Sequence, residues 1–415
     1  MEDSKGFWKG FWIGFGIFMV CSVLLAGLIF FSGVAGFKRW YASQETAPTQ
    51  EAPETKPDPD VQPAENEAAA ARFKEVMDYV DENLVLDYDK DSMINAALKA
   101  YVEASDDRYS QYLTAEEYDA MMEDSSGSYC GIGVQIQQNI ETMVTTVTRV
   151  FSSSSALEEG VLVGDVIVAV NGEDVRELPV DEIVSRVRGE EGTMVEVTFF
   201  RPWEEKNYSF VLTRRPVEVD TVFYEMKDDG IGYLKLTEFD SVSAGQMEKA
   251  LKALKGEGCK KLILDLRNNP GGLLSSVLDI ADLFLKKDLL IFSMEDKAGH
   301  VYKYLSEAKP VFSGEITLLV NGYSASASEV LTGCLKDHGV AVIMGEKTFG
   351  KGIVQGFFKL SDGSAIKLTT EHYQTPAGHD IHKIGIEPDI EGSDDPATED
   401  VDELLEQAIS YFRNK

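Results

Sequence analysis

Several patterns of apolar and polar positions follow one another along the 415-residue chain. From Gly10 to Phe37 no residue is charged, and WIGFGIFMVCSVLLAGLIFF is apolar almost throughout. At ~1.5 Å per residue, a helix of this length exceeds the ~30 Å hydrocarbon core and spans it with tilt. The apolar part of a secretory leader is usually only ~7–15 residues, so an uncleaved anchor is preferred over Val34-Ala35-Gly36 as a cleavage site. Lys5 and Lys9 balance Lys38 and Arg39, so flanking charge does not fix orientation. Keeping the short N-terminal tail in the cytoplasm and exporting the rest is the simplest arrangement. Residues 42–66 are rich in Pro, Glu, Asp, Thr and Gln and predict an extended tether. Helical spacing then links Phe73, Val76, Met77 and Val80, and later Met93, Ile94, Ala97, Leu98 and Tyr101. From Gly127 to about Thr213 the period becomes that of short strands (GIGVQIQ, TMVTTVTRV, VGDVIVAVNG, TMVEVTFF, YSFVLTR), interrupted by an amphipathic helix at Val180–Arg188. Near Arg214 the pattern changes again. The strands GYLKL, KLILDL, ITLLV and AVIMG alternate with helices at Ala244–Lys255, Leu273–Leu285 and Ser326–Asp337, which predicts parallel strands in a layered α/β domain. An acidic stretch after Glu391 leads to a terminal helix, Val401–Phe412. The expected segments are therefore 1–41 (cytoplasmic tail and anchor), 42–66 (tether), 67–126 (helical), 127–213 (strand-rich), 214–390 (α/β core) and 391–415 (acidic tail with helix).

Composition narrows the function. Hydrophobic residues make up 44%, which excludes long disorder for most of the chain. Lys+Arg 39 against Asp+Glu 71 gives a formal charge of -32, which disfavours nucleic acid and anionic lipid surfaces as partners. Cys21, Cys130, Cys259 and Cys334 have no metal-site or disulfide-framework spacing. DYDKDS at Asp87–Ser92 imitates a calcium loop but has Ser92 where Gly is needed and Leu98 where Glu is needed, so that reading is rejected.

Three β-to-α connections carry the candidate chemistry. In LILDLRNNPGGLL a buried strand runs into Gly271 and Gly272 before a helix, a place where backbone N–H groups meet developing negative charge; an ordinary tight turn is the alternative. In ITLLVNGYSASASEVLTG, Ser324, Ser326 and Ser328 surround a helix start, with Glu329 on the same face as Ser326; simple capping is the alternative. GEKTFGKG nearly matches a phosphate loop, but Gly352 stands where the magnesium-binding hydroxyl belongs and a strand follows, so Lys351 is not a nucleotide ligand. No histidine stands in a context for a Ser/His/Asp triad, and His379 and His382 read as surface residues. A serine activated by lysine needs no histidine. The lysine must be neutral: from an ordinary pKa near 10.4, a fall to ~7–8 by desolvation costs roughly 4 kcal/mol. Lys351, flanked by glycines and entering the apolar run Ile353, Val354, Phe357 and Phe358, is placed for that burial, with Gln355 in reach of the amine.

SASASE followed by Lys351 and Gln355, together with DLRNNPGG and GIEPD, resembles the Ser/Lys carboxyl-terminal processing proteases over roughly residues 70–390. Taken together, the expected fold is a multidomain α+β protein: the N-terminal transmembrane helix read from Gly10–Phe37 and a small helical domain, followed by what the resemblance implies, a β-sandwich-like PDZ domain and an α/β core of the Clp protease/crotonase type. The resemblance implies Ser326 as nucleophile, Lys351 as general base, Gln355 as the residue orienting the lysine and Glu329 as a supporting carboxylate. The N–H of Ala327 and of Gly271 or Gly272 would form the oxyanion hole. SYCGIGVQI and GVLVGDVIVAVNGEDV are similar to the family's PDZ domain, with Tyr129, Gly131, Ile132, Gly133 and Val134 as the loop that holds a terminal carboxylate. Arg188 would couple peptide binding to the core, and SDDRYSQYL resembles the family's N-terminal helical signature. His379 and His382 depart from the residues usual before GIEPD and put specificity in question there. The expected protein is a membrane-anchored, extracytoplasmic serine endopeptidase without metal or cofactor. Its partners are substrates with accessible C-termini and the membrane, with no nucleic acid, and homo-oligomerisation stays open. The rivals are a catalytically inactive exported PDZ scaffold and, disfavoured by anchor and PDZ pattern, a crotonase-type coenzyme-A enzyme.

Overall fold

The computed structural model describes residues 63–151, 154–394 and 401–415. The expected membrane anchor, and all but the end of the expected tether, lie outside the described residues. Among the described residues no helix is long and apolar enough to cross a membrane. The chain divides into two compact units, one ending at Asp89 and one running from Lys90 to Lys415.

In the first unit, α1 (Pro63–Asn83) begins inside the expected tether, because Pro63 suits the first helical position and an alanine run follows it. The second unit opens with α2 (Lys90–Glu103), β1 (Gln111–Leu113) and α3 (Ala115–Ser126). Thr114 and Glu117 close a reciprocal capping box at the start of α3, and Gly127, at φ 64°, ends the helix. The region read as one helical segment, 67–126, is divided between the two units, and its part from Lys90 onward belongs with the core. β1 pairs with a strand of the core more than 250 positions away, Gln111 opposite Lys367.

The strand-rich region comprises β2 (Ser128–Gly131), β3 (Val134–Gln138), β4 (Thr145–Val150), α4 (Ser155–Glu159), β5 (Val166–Val170), β6 (Glu173–Asp174), α5 (Val180–Val187), β7 (Met194–Arg201) and β8 (Lys206–Thr213). Its sheet runs β3-β4-β5-β7-β8, with β3 as a free edge. Ile132, Val147, Ile167, Ile183, Val197 and Phe199 form its own core. A buried Arg201 completes this domain by bonding Asp165 at 2.8 Å through both forks.

The remaining elements are β9 (Arg215–Glu218), β10 (Val222–Met226), β11 (Ile231–Leu236), α6 (Ser243–Gly256), β12 (Lys261–Asp265), α7 (Leu274–Asp282), β13 (Leu290–Asp296), β14 (Val301–Leu305), β15 (Glu315–Val320), α8 (Ala327–Asp337), β16 (Ala341–Gly345), β17 (Ile353–Lys359), β18 (Ala365–Gln374), β19 (Ile390–Glu391) and α9 (Glu403–Asn414). The main sheet runs β10-β11-β12-β15-β16-β19, parallel from β11 onward. A second sheet runs β1-β18-β13-β14, with β17 on β18. Strands of the main sheet are apolar at successive positions because both faces are covered. Leu262, Leu264, Leu318 and Ile343 pack with helices α6, α7 and α8. Ile231, Ile263, Leu319 and Met344 point the other way, onto Leu404, Ala408, Ile409 and Phe412 of α9. The segment read as an acidic tail is thus a structural layer of the core. Arg267 fastens it there, with a guanidinium that bonds Asp265 at 2.7 Å, Asp394 at 2.9 Å and Asp402 at 2.7 Å.

Candidate active site

Parallel α/β sheets leave a crevice beyond the carboxyl ends of their strands. The connections after β12, β15 and β16 meet there, and hydrogen bonds join them. Asn268 and Asn321 exchange two bonds, from the Asn268 N–H to Asn321 Oδ1 at 3.0 Å and from Asn321 Nδ2 to Asn268 Oδ1 at 2.9 Å. The Phe349 N–H reaches the Ser324 carbonyl at 3.1 Å, tying in the third connection.

Of the three serines at the start of α8, two are structural. Ser324 donates its hydroxyl to the Leu266 carbonyl at 2.8 Å and Ser328 to the Asn269 carbonyl at 2.9 Å, both fully buried. Ser326 is half-buried and sits at φ 55°, ψ −115°, a conformation that costs roughly 1–3 kcal/mol for a residue with a Cβ. Its carbonyl accepts the N–H groups of Glu329 at 2.8 Å and Val330 at 2.9 Å. The hydroxyl of Tyr373 donates to the same carbonyl at 3.1 Å, and burial raises that phenol's pKa.

Glu329 organises the site. Its fully buried carboxylate accepts four donors. Oε2 receives the Ser326 N–H at 2.9 Å and the Lys351 N–H at 2.8 Å. Oε1 receives the Gly350 N–H at 2.7 Å and the Thr348 hydroxyl at 2.6 Å. One oxygen therefore holds the backbones of Ser326 and Lys351 side by side. GIEPD supports the same loop: Thr348 Oγ1 accepts the Ile386 N–H at 2.7 Å, and a Cβ on Gly385 would lie 2.3 Å from the Thr348 carbonyl.

Lys351 is half-buried, with its ammonium 5.1 Å from the centre of the Tyr109 ring. Burial pushes its pKa down. Lys367 pushes the same way, the Glu329 carboxylate opposes, and Arg108 adds to the fall. No hydrogen bond joins Lys351 Nζ to Ser326 Oγ or to Gln355. Gln355 lies in β17 opposite Thr369, and its amide nitrogen is buried without a partner. His382 packs on Gly352, where a Cβ would lie 2.6 Å from the His382 nitrogen; burial and His372 lower its pKa. Its ring contact is with His372, at 5.5 Å, not with the exposed His379.

The glycine turn closes the other side. A Cβ on Gly271 would stand 2.9 Å from both Ser326 Cβ and the Ala327 nitrogen, so only glycine permits this approach. The Gly271 N–H is already given to Asn269 Oδ1 at 2.9 Å. The N–H groups of Ala327 and Gly272 have no acceptor among the described residues. Nearby, burial and the neighbouring Glu238 push the Asp240 carboxyl up to about 6.

In the strand-rich domain, Tyr129 and Gly131 do not belong to a loop. They lie in β2, which pairs with β9 because the chain entering the domain runs antiparallel to the chain leaving it. Only Ile132 and Gly133 form the bend, and their N–H groups have no acceptor among the described residues. Val134 opens β3. A groove of 440 Å³ follows, lined by Ile132, Val134 and Ile136 on one side and Val184, Val187 and Arg188 on the other. Arg188 stacks over Tyr129 at 4.8 Å and pairs with Glu123 at 2.9 Å. The groove's outer wall comes from the core, including Asp220, which pairs with Arg149 of β4, and Phe223. Sequence reasoning gave no role to Tyr373, Thr348, Asn321 and Arg149, although Thr348 stands within GEKTFGKG and Asn321 within ITLLVNGYSASASEVLTG. Tyr109 stood in plain view within SDDRYSQYL but without a role.

An α/β core with a clustered serine turn, joined to a peptide-groove domain, defines the class: a two-domain serine peptidase. Residues 230–392 match peptidase family S41 and residues 120–199 match the PDZ domain. The chain is 35% identical to a carboxyl-terminal-processing protease of Picosynechococcus sp. over 68% of this chain and 69% of the relative. It is 35% identical to a protein of the same description from Synechocystis sp. over 71% of this chain and 69% of the relative. It is 38% identical to a probable CtpA-like serine protease of Staphylococcus epidermidis over 78% of this chain and 66% of that protein. The chain belongs to peptidase family S41, the carboxyl-terminal-processing proteases, and is a serine-type hydrolase bearing a PDZ domain.

Proposed function

We propose that this protein is a membrane-anchored, extracytoplasmic endopeptidase that recognises protein C-termini at its PDZ groove and cuts with Ser326 and Lys351. The observation that carries the catalytic reading is the meeting of the Ser326 and Lys351 N–H groups on Glu329 Oε2. The anchor rests on the uncharged run Gly10–Phe37.

In the first step Ser326 Oγ attacks the scissile carbonyl carbon while the neutral Lys351 amine takes the hydroxyl proton. Rotation of the four-carbon stem brings the amine from the Tyr109 ring to the hydroxyl, since apo contacts of this kind tighten on substrate binding. The oxyanion accepts the N–H groups of Ala327, at the positive end of α8, and of Gly272. Gly272 is preferred to Gly271 because the latter's N–H is engaged. The Lys351 ammonium then protonates the leaving nitrogen as the C–N bond breaks. The amine, neutral again, takes a proton from water, whose attack on the ester frees the acid and returns the hydrogen to Ser326. Gln355, with its amide turned over, would present an oxygen to the ammonium.

At the PDZ domain, the tail would add to the free edge of β3, with its carboxylate on the Ile132 and Gly133 N–H groups and its terminal side chain among Ile132, Val184 and Val187. An unfolded substrate ending in an apolar residue should therefore be cut with a kcat/KM about 10-fold or more above that of the same substrate with an amidated C-terminus, since losing a charge-assisted bond costs ~1.5–3 kcal/mol. Equal rates for the two would refute tail recognition at this groove.

A further inference from the structure

SDDRYSQYL is a turn and strand that end at the catalytic cleft. Asp107 accepts the Tyr109 N–H at 3.1 Å and the Ser110 hydroxyl at 2.6 Å, fixing a tight turn. Ser110 in turn accepts the Thr369 N–H at 3.2 Å, and Gln111–Leu113 pair with β18. The turn is thus fastened to the same strand that pairs with β17, just beyond Lys351. The consequence is the position of one ring. One cation on the Tyr109 ring is the Lys351 ammonium, at 5.1 Å, and the other is the Arg108 guanidinium, at 4.7 Å. Arg108 also hydrogen-bonds the Tyr109 hydroxyl, and it lies over Phe349 at 5.8 Å. No hydrogen bond of the Lys351 amine to any described residue competes with this contact.

We infer that Tyr109 is a positioning residue for the base: its ring walls the Lys351 amine off from water and keeps it beside the cleft, from which it swings to Ser326. This rests on Lys351 being the base, as proposed above. The charged groups that act on the amine are Lys367 of β18, Glu329 of α8 and Arg108 of the Tyr109 turn itself. A ring face attracts an ammonium and so favours its charged form, whereas exclusion of water disfavours it. Burial is the largest influence on this lysine, and the Tyr109 ring at 5.1 Å is part of what covers the amine. Removing the ring exposes the amine to water, which is expected to raise its pKa and leave less of the base neutral at a given pH.

The test compares full-length Tyr109→Leu and Tyr109→Phe with the parent. In Tyr109→Leu the acid limb of the kcat/KM profile should move up by about one unit, lowering turnover at pH 7 by ~10-fold, with a smaller loss well above the limb. Tyr109→Phe, which keeps the ring, should stay within about twofold and keep its limb. A purely structural role would reduce turnover at every pH and leave the limb in place. The second readout is the pH dependence of Lys351 acetylation in a Ser326→Ala background, which should show the same displacement in Tyr109→Leu and none in Tyr109→Phe. If Tyr109→Leu does not fold, Tyr109→Met, which keeps side-chain length without a ring, takes its place. The inference is overturned if the ring-free variant leaves both limb and labelling unmoved, or if Tyr109→Phe shifts them as much. Because labelling reads the amine without turnover, it separates failure of the wall from failure of Lys351 as the base.

Discussion

Lys351→Ala is expected to lower kcat/KM for a tailed protein substrate by at least ~10⁴-fold while the protein stays folded. In Ser-based peptidases the nucleophile and its base act as a unit, so removing either forfeits nearly the whole contribution of the pair. What remains is the stabilisation available from binding and from the proposed oxyanion donors, the Ala327 and Gly272 N–H groups. Ser326→Ala should fall to a similar level, and the double variant should be no worse than either single one. Folding should tolerate the lysine change, because it removes a partly desolvated ammonium with no hydrogen bond and leaves the backbone bond to Glu329 intact. Steady-state cleavage, with thermal melts of each variant, checks this. A Lys351→Ala enzyme retaining a tenth of parental activity would exclude the lysine as base.

Glu329→Gln is expected to lower kcat/KM by ~10²–10³-fold and to lower the melting temperature as well. Three N–H groups and a hydroxyl converge on this carboxylate. A glutamine of the same shape offers one acceptor oxygen and turns an NH₂ toward two of those donors, each left unsatisfied at ~1–3 kcal/mol. The cost divides between stability and alignment, because the bonds lost are those holding the Ser326 and Lys351 backbones together. A displacement of about 1 Å between reacting groups is enough for ~10²-fold in rate. Glu329→Asp keeps the charge but shortens the reach, so it should recover less activity than stability. Unchanged turnover in a destabilised Glu329→Gln protein would reduce this carboxylate to a packing element.

The parallel core was legible in the sequence because strands buried on both faces are apolar at successive positions, as Leu262-Ile263-Leu264 shows. The connections that meet at the candidate site were legible for a related reason. Glycine and serine clusters between such strands and the following helices mark turns that a backbone must enter closely, as Gly271 does against Ser326. Sequence spacing also put Glu329 on the face of Ser326, but it could not show that Thr348, Gly350 and Lys351 donate to the same carboxylate. The place of β1 was hidden, since a three-residue strand has too little length to display a period and its partner is far along the chain. The acidic run before α9 read as a tail. The apolar positions Leu404, Ala408, Ile409 and Phe412 were visible as a helical face, but nothing in a pattern says which sheet surface lacks a cover. The bend at Ile132-Gly133 was read as running from Tyr129 to Val134, because Tyr129 and Gly131 belong to a strand whose partner lies beyond the domain and Val134 already opens β3.

The most direct measurement is covalent: exposure of the full-length protein at pH 8 to an aryl fluorophosphonate, followed by peptide mass spectrometry of the adduct. The phosphoryl group should appear on Ser326 in the parent, and labelling should fall to background in Lys351→Ala. Labelling of Ser326 at the parental rate without the lysine, or reaction at another residue in the parent, would contradict the pairing of this hydroxyl with this amine.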